Sequence, residues 1–253
     1  MERTEEQKVL DKAQEHLRRL FHKACADYGL IADGDHILIG LSGGKDSLAL
    51  VELLGRRTQI YVPRFQVTAL HVRVKERDYQ TDLSYLKSFC EEAHVPLVIR
   101  DTEIENNITN ERVSDANPCF LCSWYRRKEL FNVAQELGCN KIALGHHKDD
   151  IVETLLMNLI YQGTFATMPP ILQMDKMPLQ IIRPLCLITE EELVRYATLR
   201  GYKKQPKLCP FEHVSSRSKA KELLAEMKAL NPFALDSLYN SMSNIKTDYL
   251  PKS

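Results

Sequence analysis

The fold of this chain is decided by one stretch, Ile37-Leu38-Ile39-Gly40-Leu41-Ser42-Gly43-Gly44-Lys45-Asp46-Ser47. It begins with a short, β-branched apolar run, which is typical of a buried parallel strand. The two adjacent glycines permit a tight turn, and residues 48–54 supply the apolar face of a predicted helix that begins near Asp46. A strand, a glycine turn and a helix N-terminus form an anion site, because backbone N–H groups converge there and the helix dipole favours negative charge.

The side chains of the turn also suit phosphate. Lys45 supplies a compact cation, and Ser42 and Ser47 supply hydroxyl donors. The G-x-x-x-x-G-K-[ST] loop does not fit, since Gly40 is one residue too close to Lys45 and Asp46 stands where a Ser or Thr is required. The stretch resembles instead the S-G-G-x-D-S loop of the PP-loop ATP pyrophosphatases. This resemblance implies cleavage of ATP between the α and β phosphates, with the loop binding the pyrophosphate.

Composition and length restrict the class of protein. The chain has 253 residues and a formal net charge of zero, so any nucleic-acid surface must be a local patch. No apolar run approaches the ~20 residues of a membrane span, and the charged N-terminal residues lack the apolar core of a signal peptide. Seven cysteines, an odd number, indicate reduced thiols rather than a disulfide framework. We therefore expect a cytoplasmic protein without membrane association.

Strands and helices alternate along the chain. Further strands are predicted at 65–72, 96–100 and 141–144, and helices at 5–28, 81–93, 118–138 and 151–161. Residues 171–174 and 179–182 are predicted to pair as a hairpin whose second strand joins the sheet. A capping-box pattern at Thr189 and Glu192 begins a helix to Gly201, and two helices follow at 215–230 and 232–245. The alternation predicts an α/β fold with a doubly wound, parallel, five-stranded sheet and helical N- and C-terminal segments.

The predicted order of strands locates the site. Ligands bind at the carboxyl ends of parallel strands, where the strand order reverses. The loop at Ser42 and the run Gly145-His146-His147-Lys148-Asp149-Asp150 both follow predicted strands, so we place strands one and four side by side. This placement matches the strand order 3-2-1-4-5 of the PP-loop ATP pyrophosphatases, the family that the sequence resembles. We expect an N-terminal helical segment at 1–35, the ATP pyrophosphatase domain at 36–200 and a C-terminal basic loop with helices at 201–253.

The pair Cys119-x-x-Cys122 has three common interpretations: a redox pair, a zinc site or iron–sulfur ligands. A thioredoxin-like pair is disfavoured, because that motif belongs in the first βα turn of a small fold. A zinc deaminase would require an upstream H-x-E, which no histidine of this chain provides. A structural zinc site completed by Cys209 and His213 stays open. The other four cysteines are predicted to be packed thiols: Cys25, Cys90, Cys139 and Cys186.

Together these motifs resemble the tRNA 2-thiocytidine synthetases, the TtcA branch of the PP-loop enzymes, over residues 15–250. The matching positions are Ser42–Ser47, Cys119 and Cys122 with Arg126 and Arg127 after them, Gly145–Asp150, the G-x-x-x-x-M-P-P run Gly163–Pro170, and Cys209. Many members carry C-x-x-C at the last position, where this chain has Pro206-Lys207-Leu208-Cys209. The chain also lacks the terminal cysteine pairs of the related 2-thiouridine enzymes.

The resemblance implies an ATP-dependent tRNA sulfurtransferase. ATP would adenylate the C2 oxygen of an anticodon-loop cytidine, and sulfur would then displace AMP. The resemblance also implies a [4Fe–4S] cluster on Cys119, Cys122 and Cys209, with one iron left for the sulfur, and Mg²⁺ on Asp46 and Asp150. tRNA and a sulfur donor such as a cysteine desulfurase are the expected partners, and a homodimer is left open.

Each candidate residue has an expected role. ATP is expected to contact Ser42, Gly43, Gly44, Lys45, Asp46, Ser47, His71 and Gly145. Catalysis is assigned to Cys119, Cys122, Cys209, Lys45, Asp150 and Arg126. Phosphates of tRNA are expected to meet basic side chains, namely Arg126, Arg127, Lys203, Lys204 and Lys207. The alternatives are thiolation of another tRNA base or a small molecule, and a non-catalytic nucleotide-binding protein with structural zinc.

Overall fold

The structure, a computed structural model, describes residues 4–74, 81–102, 118–205 and 216–251, without the side chains at 74, 118–122 and 216. The chain divides into two compact units. We call Met1–His147 with Pro170–Phe211 the sheet unit, and Lys148–Pro169 with Glu212–Ser253 the helical unit. Among the described residues, no helix has the length and apolar composition needed to cross a bilayer.

The sheet unit contains all the described strands. They are β1 (His36–Gly40), β2 (Gln66–Val74), β3 (Leu97–Thr102), β4 (Lys141–Ala143), β5 (Ile171–Gln173) and β6 (Gln180–Ile182). The helices of the sheet unit are α1 (Glu5–Asp27), α2 (Lys45–Thr58), α3 (Leu83–Glu92), α4 (Pro118–Glu136) and α6 (Glu190–Arg200). Those of the helical unit are α5 (Lys148–Gln162), α7 (Ser216–Leu230) and α8 (Ala234–Ser241), followed by a 3₁₀ turn at Thr247–Tyr249.

The six strands form one sheet in the order β3-β2-β1-β4-β6-β5. All neighbours are parallel except β5, which pairs antiparallel with β6 at the edge. The doubly wound α/β fold is therefore confirmed, and the predicted order 3-2-1-4-5 corresponds to the five parallel strands. The remaining strand, β5, is the first arm of the predicted hairpin. As predicted, β1 lies between β2 and β4, with Ile37 opposite Val67 on one side and Lys141 on the other.

Both faces of β1 are buried, as its continuous apolar run predicts. Leu38 lies in a cluster with Ile142 of β4 and Val133 of α4. Ile37 and Ile39 point to the opposite face, because side chains alternate along a strand, and both are fully buried. Helix α2 contacts β1 and β2, and its residues 47–55 are all buried. The start of α2 is thus held firmly at the end of β1.

Local signals located the ends of α6 correctly. Thr189 Oγ1 accepts from the N–H of Glu192 (3.3 Å), and the Glu192 carboxylate accepts from the N–H of Thr189 (2.8 Å). The last helix is shorter than predicted, since α8 ends at Ser241 instead of 245. Beyond that point the amides of Ser243 and Asn244 donate to carbonyls three residues back, which is the pattern of a turn.

The helical unit has a small core of its own. Val152 and Leu156 of α5 pack with Leu224 of α7 and Leu235 of α8. All four side chains are buried. The burial of these side chains removes apolar surface from water, and this holds the three helices together.

Candidate functional site

The turn between β1 and α2 is organised by its own polar groups. The N–H of Ser42 donates to Ser47 Oγ (3.2 Å), and Ser47 Oγ donates to the Gly44 carbonyl (2.9 Å). Gly43 has a φ of +83°, a left-handed conformation that favours glycine. Gly44 is the N-cap of α2, and no side chain of the described residues caps this helix. The first N–H groups of α2 therefore lack a partner within the helix, which is an arrangement that binds oxyanions.

Charged side chains surround the start of α2. Lys45 Nζ lies 3.1 Å from Asp46 Oδ1 and 3.7 Å from Glu190 Oε1. Asp46 Oδ1 is buried and receives no well-aligned hydrogen bond from the described residues. Asp46 Oδ1 has the Lys45 ammonium as a charged neighbour, but it keeps lone pairs that suit a hard divalent cation such as Mg²⁺. Sequence reasoning missed Glu190, because the capping box located the start of α6 but not its place beside Lys45.

Gly145 brings the second predicted loop against the first. A Cβ on Gly145 would lie 3.2 Å from the carbonyl carbon of Asp46 and 3.2 Å from the backbone nitrogen of Ser47. Only a glycine permits this approach of two backbones without displacing one of them. The predicted adjacency of the two loops is confirmed. The binding of ATP by these residues stays a prediction.

His71 supports the loop from β2. It is buried, and its Nδ1 lies 2.8 Å from the Leu41 carbonyl, so Nδ1 carries the proton and donates. Burial lowers the pKa of His71, and the positive charges of Arg126 and Arg73 lower it further, although the bond to Leu41 opposes them. The imidazole is therefore neutral at pH 7. Its observed contact fixes the backbone directly before Ser42, and the structure also places Arg126 of α4 near it.

A buried carboxylate connects α2 to the end of α6. Glu52 accepts hydrogen bonds from the hydroxyls of Tyr196 (2.9 Å) and Tyr202 (2.7 Å), and it pairs with Arg56 (2.8 Å) and Arg200 (3.4 Å). Burial raises the pKa of Glu52, but these hydrogen bonds and charges outweigh burial and hold it below its ordinary value. The segment that follows α6 is thereby anchored to the helix that begins at the loop.

The residues predicted to contact tRNA lie on two separate elements. Arg126 and Arg127 are on α4, where Arg126 is half-buried and Arg127 is exposed. Lys203 and Lys204 follow α6 and are exposed, and Lys203 forms an ion pair with Asp82. Lys207 lies outside the described residues. Their role in binding tRNA stays a prediction.

The aspartates predicted after β4 lie in the helical unit. Asp149 Oδ1 is 2.8 Å from Lys228 Nζ, and Asp150 Oδ1 is 3.6 Å from Arg217 Nη1. Both aspartates are in the first turn of α5, where negative charge complements the helix dipole. Asp150 as a Mg²⁺ ligand stays a prediction.

The cysteines fall into two groups. As predicted, Cys90, Cys139 and Cys186 are buried, whereas Cys25 is half-buried. Burial raises the pKa of Cys25 to about 12 and those of Cys90 and Cys139 to about 11. A raised pKa leaves little thiolate at neutral pH, and the thiolate is the reactive form of cysteine.

The other group contains the predicted cluster ligands. Cys119 and Cys122 lie one turn apart at the start of α4, where the structure describes the backbone but not their side chains. Cys209 and His213 are also outside the described residues. Within the described part of the chain, no group of three or more His, Cys, Asp or Glu side chains is arranged to hold a metal ion. Ligation of a cluster by Cys119, Cys122 and Cys209 stays a prediction.

Comparison with protein families and sequences gives matches over most of the chain. A family model described as a PP-loop domain matches residues 10–204. The tRNA-cytidine(32) 2-sulfurtransferase of Methylococcus capsulatus is 34% identical over 245 residues, which are 96% of this chain and 84% of the relative. The enzyme of the same name from Tolumonas auensis is 36% identical over 245 residues, covering 95% of this chain and 79% of the relative.

Solved structures include one with the same fold. The U34-tRNA thiolase NcsA from Methanococcus maripaludis, solved with its [4Fe–4S] cluster, superposes with a TM-score of 0.76. The match covers 95% of this chain and 82% of that chain at 24% identity.

Proposed function

This chain belongs to the PP-loop family and, within it, to the tRNA-cytidine(32) 2-sulfurtransferases, and we propose accordingly that it is an ATP-dependent tRNA sulfurtransferase. The substrate would be a cytidine of the tRNA anticodon loop, whose C2 oxygen is replaced by sulfur. The observation that carries the proposal is the uncapped start of α2, which Gly145 contacts across the end of the sheet. This arrangement suits the binding of a polyphosphate.

ATP serves to activate the base. A carbonyl oxygen is a poor leaving group, but once the C2 oxygen has attacked the α-phosphate it can leave as AMP. Pyrophosphate departs in that first step, and its negative charge is neutralised by Lys45 and by the free N–H groups of α2. A sulfur nucleophile then adds at C2, and AMP leaves with the original oxygen.

The residues present also suit Mg²⁺. Asp46 Oδ1 is buried without an aligned donor among the described residues, next to the proposed phosphate site. Asp46, with Asp150 as the second proposed ligand, would hold the metal. When bound there, Mg²⁺ would neutralise charge on the phosphates.

The donor set suits an iron–sulfur cluster on Cys119, Cys122 and Cys209. The burial of Cys90, Cys139 and Cys186 and the raised pKa of Cys25, Cys90 and Cys139 support this choice of ligands. When bound, a [4Fe–4S] cluster held by three thiolates would supply one iron without a protein ligand for the incoming sulfur. Arg126 and Arg127 follow these cysteines on α4 and would balance negative charge near them.

The partners follow from the reaction. We assign tRNA docking to Arg126, Arg127, Lys203, Lys204 and Lys207, since basic side chains release counterions from the phosphate backbone. The sulfur would come from a donor such as a cysteine desulfurase. We place the reaction in the cytoplasm, where tRNA is found and thiols stay reduced.

Mass analysis of tRNA nucleosides tests the proposal directly. A strain that lacks the gene should lack one 2-thiolated cytidine, and the wild-type gene should restore it. The Lys45→Ala variant should not restore it, because the pyrophosphate formed in the first step would lose its neutralising cation. Purified protein should release AMP and pyrophosphate, and release of ADP and phosphate as the main products would contradict the assignment.

A further inference from the structure

Gln205 lies at a junction between the loop and α3. Its Oε1 accepts a hydrogen bond from the backbone N–H of Asp82 (2.9 Å), and Asp82 is the N-cap residue of α3. Only 8% of Gln205 is exposed. The residue is held there by its neighbours, since Tyr202 is bound to Glu52 and the N–H of Lys203 donates to the Tyr85 hydroxyl (3.1 Å). Gln205 is therefore a fixed group of the sheet unit.

The side chain of Gln205 packs directly on the phosphate loop. A Cβ on Gly43 would lie 3.2 Å from Gln205 Cγ and 3.9 Å from Gln205 Cβ. The amide nitrogen Nε2 is two covalent bonds from that Cγ. Gly43 directly precedes the uncapped start of α2, so a side-chain donor group is positioned beside the proposed polyphosphate site.

Nε2 of Gln205 is buried and has no hydrogen-bond partner among the described residues. Burying an amide donor without an acceptor is unfavourable, and proteins rarely leave such a group unpaired without a functional reason. The Oε1 atom of the same amide is already bound, so the amide orientation is set by Asp82. What Nε2 lacks is an acceptor, and phosphate oxygens are acceptors.

We propose that Gln205 Nε2 donates a hydrogen bond to a phosphate oxygen of the nucleotide or pyrophosphate bound at Ser42–Ser47. The proposal rests on the proposed function, because that function supplies the polyphosphate. It makes Gln205 a binding residue that joins the loop, the start of α3 and the segment after α6. Sequence reasoning missed it, since a lone glutamine between lysines and a proline carries no motif.

Titration calorimetry of the anaerobically purified full chain with pyrophosphate, ATP and adenosine tests the proposal. Gln205→Met keeps the length of the side chain but removes both the Nε2 donor and the Oε1 acceptor of Asp82, and it should weaken the binding of pyrophosphate and ATP about tenfold. Gln205→Glu keeps an acceptor for Asp82 and adds a negative charge, so its loss of affinity should be larger. Adenosine affinity should be unchanged in both variants, because adenosine has no phosphate.

The matched control is Gln59→Met. Gln59 is an exposed glutamine at the other end of α2, and the variant should bind pyrophosphate as the wild type does. If both Gln205 variants melt at lower temperature but keep wild-type pyrophosphate affinity, Gln205 only holds α3 in place and the proposal is overturned. Equal weakening of adenosine and ATP would also overturn it.

The outcomes separate this proposal from the proposed function. Weakened pyrophosphate binding in Gln205→Met, together with unchanged tRNA nucleosides in the deletion strain, would refute the function and support the Gln205 contact. Loss of the thiolated nucleoside in that strain, with unchanged pyrophosphate affinity in Gln205→Met, would refute the contact alone.

Discussion

Gly145→Ala is expected to weaken pyrophosphate binding through a backbone displacement. The new Cβ would lie 3.2 Å from the Asp46 carbonyl carbon, 3.2 Å from the Ser47 nitrogen and 3.3 Å from the Asp46 oxygen. Backbone atoms cannot rotate away as the end of a long side chain does. Either residue 145 or the start of α2 must therefore move by a few tenths of an ångström.

The size of the effect follows from these contacts. Overpacking of this kind costs about 1–3 kcal/mol of stability. In a chain of 253 residues each 1 kcal/mol lowers Tm by about 2–4 °C, so a loss of several degrees is expected. The displaced N–H groups are those that would bind phosphate, and losing one such bond costs about 1.5 kcal/mol, or roughly tenfold in affinity.

Titration calorimetry with pyrophosphate and thermal melting measure the two effects separately. Gly138→Ala is the matched control, because Gly138 has a φ of +66° and a Cβ there would meet no atom within 4 Å. An alanine at this positive φ should be strained by about 1–2 kcal/mol. The control variant should therefore have a lower Tm but an unchanged affinity for pyrophosphate. If Gly145→Ala lowers Tm but binds pyrophosphate as tightly as the control does, the reasoning about the displaced loop is refuted.

Three further predictions concern other parts of the chain. Glu52→Gln should lower the free energy of unfolding by about 1–3 kcal/mol in urea titrations, because Arg200 loses a buried partner. Because the pKa of Glu52 is lower in the folded state than in the unfolded state, the wild type should lose this extra stability as pH falls below about 4.3. If the difference in free energy of unfolding between the wild type and Glu52→Gln stayed the same at low pH, this reasoning would be wrong. Serine at any predicted cluster ligand should abolish bound iron in anaerobic preparations, whereas Cys25→Ser should retain it; zinc in the wild type would contradict the cluster. Neutralising all three lysines near Cys209 should flatten the salt dependence of tRNA binding and leave pyrophosphate affinity intact, and an unchanged slope would exclude that surface. The substituted residues are Cys119, Cys122 and Cys209 in the first series and Lys203, Lys204 and Lys207 in the second.

The sequence alone determined the features that depend on neighbouring residues. The apolar run 37–39, the paired glycines and the helix after them predict a strand, a turn and an anion site, because strand burial and glycine conformation act over a few residues. The capping box at Thr189 is equally local, since all its bonds lie within four residues. The alternation of strands and helices then restricts the sheet to a parallel, doubly wound one.

Only the tertiary structure decided which distant groups meet at the loop. Glu190 and Gln205 lie about 140 to 160 residues after Ser42–Ser47, and no spacing rule relates them to the loop. Their positions depend on the packing of α6 against α2 and on the order of strands in the sheet. Sequence periodicity shows which face of an element is buried but not against which partner, because apolar burial is non-directional. The contacts of Lys45 with Glu190 and of Gly43 with Gln205 therefore became visible only in the folded chain.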